Sequence, residues 1–343
     1  MKTFFYATSI FLILATSAFA TVYVSTPTNG ANVTSPVQYK ATATTNTCSQ
    51  GVASMGIYVD NSLVYVVQGA SLDHALSLNN GNYHTVVEEW DHCGGASYAT
   101  IDITVTGGGG GHVLQHLQAS GGWKSWGELP PNYGICSYPC PGVSWWMKQG
   151  IKSPSLSGDA TEFYLGGSKP YADVLFSNPL IGQGSTQGIP DSGHTLLPTL
   201  HNFTYDVYFY PTNLGVTQVL EFDISMYFDS LGLIWGNQCN ILGGHVWDVW
   251  DNVGHHWVST GVPCNPVNNA WNHLTIQVQR ESDNWLLFQS ITLNGHQANI
   301  NRYYAPGSAS PSWWGITVNY QMDGNYNQTA YTTYLDNFSF TYW

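Results

Sequence analysis

Charge is what this chain has least of. Lysine, arginine, aspartate and glutamate make up 8% of 343 residues, and lysine plus arginine number 8. Neutralising nucleic-acid phosphates takes clustered cations, so a nucleic-acid partner is excluded. An anionic membrane surface is equally unattractive to a chain of formal net charge −13. Stretches rich in Lys, Glu and Ala are scarce, which leaves little material for long surface helices. Beyond the first residues no apolar run reaches the ~20 residues that cross a bilayer, so membrane insertion is not expected. A Gly-x-Ser-x-Gly nucleophile elbow is absent, as is a glycine-rich phosphate loop between a strand and a helix. No histidine pair has zinc-protease spacing.

What is present points elsewhere. Aromatics reach 14%, with 14 Trp and 22 Tyr, beside 36 Gly. Abundant Gly and Asn favour turns, and an all-β protein is the natural reading. Few charges with many rings and amides suit a neutral polar ligand, and sugars are the obvious class. A pyranose offers C–H faces to aromatics and hydroxyls to amides and carboxylates. Buried rings also build sandwich cores, so composition alone does not decide.

The chain opens Met-Lys, continues apolar from Phe4 to Ala15, and reaches Ala18-Phe19-Ala20. That is the pattern of a cleaved signal peptide, residues 1–20, and it predicts a secreted protein. Six cysteines in an exported chain predict disulfides, with 15 possible pairings. Locality favours Cys48 with Cys93, Cys136 with Cys140, and Cys239 with Cys264. A zinc site at Cys136 and Cys140 lacks a second close pair or a nearby His.

A glycine run at residues 107–111 cannot pack and reads as a linker. Before it, residues 21–106 hold about seven short strands separated by turns such as Pro27-Thr28-Asn29-Gly30 and Asp60-Asn61-Ser62. The segments STPTNGANVTSPVQYKATAT, MGIYVDNSLVY and GNYHTVVEEWDHCGGAS resemble bacterial Ig-like domains. The resemblance implies a sandwich acting as a spacer or adhesion unit without catalytic residues.

Residues 112–343 alternate cleanly enough to assign faces. Phe203, Tyr205, Val207 and Phe209 share one face. Leu274, Ile276 and Val278 oppose Thr275, Gln277 and Gln279. Ile316, Val318, Tyr320 and Met322 oppose Thr317, Asn319, Gln321 and Asp323. This predicts a large antiparallel sandwich with one wet sheet face. In the segment from Gln218 to Asp229, Glu221, Asp223, Ser225 and Tyr227 lie opposite Phe222, Ile224, Met226 and Phe228. Two carboxylates thus project side by side, roughly 6.6 Å apart along the strand, and need a cation, an amide network or a sugar.

VLEFDIS, AWNHLTIQVQRESDNWLLFQSITLNG and the closing YTTYLDNFSFTYW resemble the concanavalin A-like lectin/glucanase fold. The resemblance implies a jelly roll. It also implies either a lectin-like metal site, with calcium held by Glu221, Asp223 and Asp229 (Asn237 completing the set), or catalytic acids on the Glu-x-Asp strand. The chain departs from the glucanase pattern, because Ser225 and Met226 stand where a second Glu belongs. Glu221 as nucleophile with Asp223 tuning it then needs an acid/base from another strand: Asp251, Asp248, Glu128 or His245. The bland alternative is that Glu221 and Asp223 only hydrogen-bond neighbouring strands.

For sugar contact the candidates are Trp247 and Trp235 as stacking rings, with Gln277, Asn319 and Gln321 as polar hooks. In the adjacent pairs Trp145-Trp146 and Trp313-Trp314, one ring of each pair must point outward. The expectation is a monomeric polysaccharide binder on the concave sheet face. Its rivals are an endo-acting glycoside hydrolase using Glu221 and Asp223, and a surface adhesin or structural protein.

Overall fold

The computed structural model describes residues 21–343 apart from Pro36, Ser77, Asn79, Asn80, 107–110, 131–133 and Gln328, and the side chain of Ser62. The signal-peptide assignment and nearly all of the glycine linker lie outside the described residues. Among those described, helix is confined to three single 3₁₀ turns and the rest of the regular structure is strand. The all-β expectation therefore holds. The chain divides into two compact units, Met1–Gly108 and Gly109–Trp343.

The smaller unit contains β1 (Thr21–Thr26), β2 (Ala31–Val33), β3 (Val37–Thr44), β4 (Val52–Val59), β5 (Ser62–Gln68), β6 (Ser71–Leu76), β7 (Gly81–Asp91) and β8 (Ala96–Val105). They form two sheets, ordered β1-β3-β6 and β2-β8-β7-β4-β5. Alternation drives the packing. Tyr39, Ala41 and Leu72 of the first sheet are buried in one cluster with Met55, Ile57, Val87, Ile101 and Ile103 of the second. Strand β2, not expected from sequence, runs parallel to β8. The Cys48–Cys93 disulfide closes this unit.

The larger unit begins with β9 (His112–Leu114), β10 (Lys124–Leu129), β11 (Gly134–Cys136), β12 (Val143–Ile151), β13 (Ala160–Gly167), β14 (Asp173–Gly182), β15 (Asn202–Pro211), β16 (Thr217–Phe228) and β17 (Leu231–Trp235). It continues with β18 (Asn237–Asn240), β19 (Val246–Asp251), β20 (His256–Pro263), β21 (Asn272–Arg280), β22 (Leu286–Leu293), β23 (His296–Tyr304), β24 (Gly307–Ser308), β25 (Gly315–Gly324) and β26 (Tyr331–Tyr342). A ten-stranded sheet runs β11-β10-β14-β25-β16-β18-β19-β20, with β17 on β16 and β24 on β17. An eight-stranded sheet runs β12-β13-β26-β15-β21-β22-β23, with β9 on β26.

One aromatic core joins the two sheets. Phe163 meets Phe176 and Tyr320 edge-on at 4.8 and 5.3 Å between ring centroids. Phe209 meets Phe222 at 5.1 Å. Each pair takes one ring from each sheet, as expected for face-to-face packing. The disulfides Cys136–Cys140 and Cys239–Cys264 complete the three pairings that locality favoured, and no described cysteine is free.

Asp336 shows how a buried charge is carried here. It accepts from the backbone N–H of Leu156 and of Ser157 at 2.7 and 3.0 Å, from the hydroxyls of Ser155 and Ser157, and from Gln118 Nε2. Burial alone would raise its pKa, but the donors from Ser155 to Ser157 outweigh burial and hold it below the ordinary value. Asp336→Ala orphans these donors and is expected to cost roughly 3 kcal/mol, or roughly 6–12 °C in melting temperature. Thermal unfolding checks this, and a shift under one degree would contradict the anchoring role.

Candidate functional site

The site follows from strand register on the ten-stranded sheet, on the face turned away from the core. Glu128 pairs with Asp173, and Asp173 with Asp323, so three acids stand in one row across β10, β14 and β25. The neighbouring row reads Trp126, Leu175, Gln321, Glu221, Gln238, Asp248 and Ser259, each paired with the next. A third row holds Lys124, Ser177, Asn319 and Asp223. Antiparallel partners two residues on lie on the same face, so the rows form one polar field. Its residues Glu221, Asp223, Asn319, Gln321, Asp323, Gln238, Asp248 and Asp173 are only 3–8% exposed. Leu220, Phe222, Ile224, Tyr320 and Met322, on the opposite face, are 0% exposed. The polar field is therefore recessed, yet each of its members keeps some surface.

The chain path between β17 and β18 shapes its centre. Strand β17 leaves β16 at the Ile224–Trp235 pair, and β18 joins at Glu221–Gln238. In the gap between them, the N–H of Asn237 donates to Asp223 Oδ1 at 3.0 Å. Gly236 occupies the gap because any larger residue would collide. A Cβ there would stand 2.9 Å from Trp250 Cβ and 3.0 Å from the Trp257 ring. Trp250 and Trp257, paired across β19 and β20, meet edge-on at 5.2 Å. Both are partly exposed and form an aromatic wall beside Asp223. Asp248 accepts from Gln238 Nε2 and Asn240 Nδ2, both at 2.8 Å. Asn319 Nδ2 donates to Ser225 Oγ at 3.2 Å.

The acids have no cationic partner among the described ion pairs, which involve Lys40, His84, Lys152 and His273. Burial is the largest reason that Glu221 holds its proton well above the ordinary carboxylic range, and the charges of Asp323, Asp223, Asp173 and Glu128 add to it. Asp323 is raised in the same way, opposed in part by hydrogen bonds from Gln321 and Glu221. Asp173 is pushed up to about 11 by burial, then by Asp323 and Glu128. Asp223 reaches only about 7, because the Asn237 N–H opposes its burial. Desolvation also raises Glu128. One oxygen each of Asp173 and Asp323 is buried without a partner. Adjacent carboxyls that cannot all ionise divide into proton holders and proton acceptors, and here Glu221 is the holder and Asp223 the acceptor nearest neutrality.

Several sequence expectations fall away. Asp251 is not on this face. It ends β19, and its Oδ1 accepts from the N–H groups of Val253 and Gly254 at 2.9 Å, capping a turn. Trp247 and Trp235 are core residues, 1% and 0% exposed. Alternation separated Trp247 from Trp250 correctly, but the outward ring is Trp250. Gln277 belongs to the other sheet, where its Oε1 accepts from Ser290. Asp229 is in the turn after β16 with φ +49°, roughly 20 Å along the strand from Asp223, so it cannot share a cation with Glu221. His245 is exposed in a turn.

Among the described residues, only Cys48, Asp91 and Cys93 bring three ligand atoms within 4.8 Å of one another, and those cysteines form a disulfide. The calcium set is thus not assembled. Glu221, Asp223, Asn319 and Gln321 do share the face, with Glu128 and Asp248 from the acid/base candidates. Asp173, Asp323, Trp126, Trp250 and Trp257 complete it. Alternation had already put Asp323 beside Gln321; strand order, which no local pattern reveals, is what brings in the others.

No protein-family model and no curated protein matches the chain. Among solved structures it is similar to a carbohydrate-binding module of the β-sandwich superfamily, at 10% identity over 93% of this chain and 96% of that one, TM-score 0.35. It is also similar to lectin I from Ulex europaeus, at 12% identity over 64% of this chain and 98% of that one, TM-score 0.36. The cellulose-induced protein Cip1 is similar at 12% identity over 64% and 90%, TM-score 0.36. Likenesses this distant say nothing of this chain's site or activity.

The raised carboxyls link stability to pH in a definite direction. A folded pKa above the unfolded value gives stability that is full below about 3.8 and is lost as pH rises through the folded values, about 7 for Asp223 and about 11 for Asp173. Asp173→Asn removes one such group, so its melting temperature is expected to fall less steeply than the parent's between pH 5 and pH 9. The two are expected to differ by several degrees at the alkaline end. Parallel slopes in a calorimetric pH series would contradict the raised-carboxyl picture.

Proposed function

We propose that the larger unit binds a neutral polysaccharide along the recessed face, with the chain lying across the strands. The observation that carries this is the row from Trp126 through Gln321, Glu221 and Gln238 to Asp248, with the Trp250–Trp257 wall beside its far end. Strands β10 to β20 are six spacings apart, roughly 29 Å at the usual inter-strand distance, room for several sugar rings. Rings at the two ends offer stacking surfaces to C–H faces. Amides and carboxyls between them match hydroxyl groups, since protonated acids donate and ionised ones accept. Anionic polymers such as polyuronates are disfavoured, because six acidic side chains share this face with a single cation, Lys124, and Asp223 ionises near neutrality.

The smaller unit, in this reading, is an Ig-like spacer, and the three disulfides suit a secreted protein. A second reading has its own observation. Glu221 keeps its proton while Asp223, two residues along the same strand, ionises near neutrality. That division would suit a glycoside hydrolase with Glu221 as general acid and Asp223 as base or nucleophile.

Titration of the mature chain with soluble neutral oligosaccharides tests both readings. Trp257→Ala is expected to weaken binding about tenfold, equivalent to about 1.4 kcal/mol. Asp223→Asn, which removes the carboxylate that ionises near neutrality, is expected to weaken discrimination against uronate oligomers. Binding without new reducing ends supports the binder. Reducing ends that vanish in Glu221→Gln establish the hydrolase instead. Neither binding nor cleavage across glucans, mannans and xylans would sink both readings.

A further inference from the structure

The other outward face, on the eight-stranded sheet, carries rings that the recessed site does not use. Trp146 of β12 and Tyr164 of β13 are register partners whose rings lie parallel, 8° apart with centroids 5.0 Å apart. Tyr334 of β26 donates its hydroxyl to Glu162 Oε1 at 3.2 Å. Tyr210 of β15 packs edge-on against both Tyr334, at 6.1 Å, and Trp271, at 5.6 Å. Trp146 is 42% exposed and the other four rings are partly exposed. Its neighbour Trp145 is in the core, so the adjacent pair splits between the two faces. Trp146, Tyr164, Tyr334 and Tyr210 stand on four neighbouring strands, β12, β13, β26 and β15, and so spread over roughly 14 Å of sheet, with Trp271 just before β21.

Sheet stability does not call for this band. Cross-strand pairs on a solvated face are worth a fraction of a kcal/mol each, and threonines or ion pairs serve as well. Contiguous exposed rings usually mark a contact surface. Charge narrows the occupant. Lys148 is the register partner of Glu162, and both oxygens of Asp206 lie 3.0 Å from His273 Nε2, so each carboxylate beside the band already has a neighbour to engage it. A strongly charged macromolecule or an anionic lipid finds no cluster of cations here, Lys148 being the one on these strands beside the rings. Parallel indole and phenol faces with hydroxyls at their edges suit the C–H faces and hydroxyls of sugars.

We propose that this band, centred on Trp146, Tyr164, Tyr334 and Tyr210, is a second glycan-binding surface that holds the protein on an insoluble neutral polysaccharide. It is independent of the recessed face, which would take a single chain. The pairing gives one molecule two attachments to the same material, and bivalency raises retention without any new contact.

Retention of the mature chain on microcrystalline cellulose, insoluble β-1,3-glucan and insoluble mannan is the test. Trp146→Ala with Tyr210→Ala is expected to lower the partition constant on the retaining material at least tenfold. Trp146→Phe with Tyr210→Phe keeps the rings and is expected to retain most of it. Unchanged melting temperatures show that both variants fold. Soluble-oligosaccharide affinity is expected to be unchanged in both, so failure of this surface is distinguishable from failure of the recessed site. Retention that ignores the loss of the rings overturns the proposal, as does no retention on any of the three materials. A concentration-dependent dimer that Trp146→Ala dissolves would also overturn it, by making the band a protein interface.

Discussion

Six carboxyl groups on one recessed sheet face, none of them in a described ion pair, constrain the rest of the larger unit. An isolated buried carboxylate is too costly to keep ionised, so these groups hold protons or lean on donors. Glu221 and Asp323 take the first course, and Asp223 the second through the Asn237 N–H. Asp336, equally buried but ringed by hydroxyls and backbone N–H groups, shows what full compensation looks like in this chain. The contrast matters. Asp336 is met by hydroxyl, amide and backbone donors, whereas on the recessed face one buried oxygen each of Asp173 and Asp323 is left without a partner.

The surrounding structure keeps that face rigid and open. The aromatic core beneath it, with Phe222 and Tyr320 packed on Phe163, Tyr205 and Phe209, fixes β16 and β25 from below. The Cys239–Cys264 disulfide ties β18 to the segment after β20. The gap at Gly236 frees one N–H for Asp223 and lets Trp250 and Trp257 close over it. The interruption in the sheet thus aligns an acid and an aromatic wall.

Much of this was legible in the sequence, and its limits have physical causes. Alternation placed Glu221, Asp223, Asn319 and Gln321 on a wet face because the strand period is two whatever the partners are. The same rule placed Trp247 and Trp250 on opposite faces but could not say which face was the core. Gln277 alternates as well as Gln321 does, yet it lies in the other sheet, since sheet membership depends on strand order. Asp173 and Glu128 enter through that same order. Asp251 and Asp229 sat close in sequence to attractive residues, but turn geometry took one as a cap and carried the other away. The disulfides were legible because each joins cysteines that are neighbours in sequence order and lie within one unit.

The most direct test of the recessed acid face is carboxyl-carbon NMR of the side chains, titrated from pH 4 to pH 9 with and without a neutral oligosaccharide. The Glu221 and Asp323 signals are expected to stay in their protonated position well past the ordinary carboxylate range, and both to shift when the sugar is added. Signals that titrate near pH 4 and ignore the sugar would contradict this.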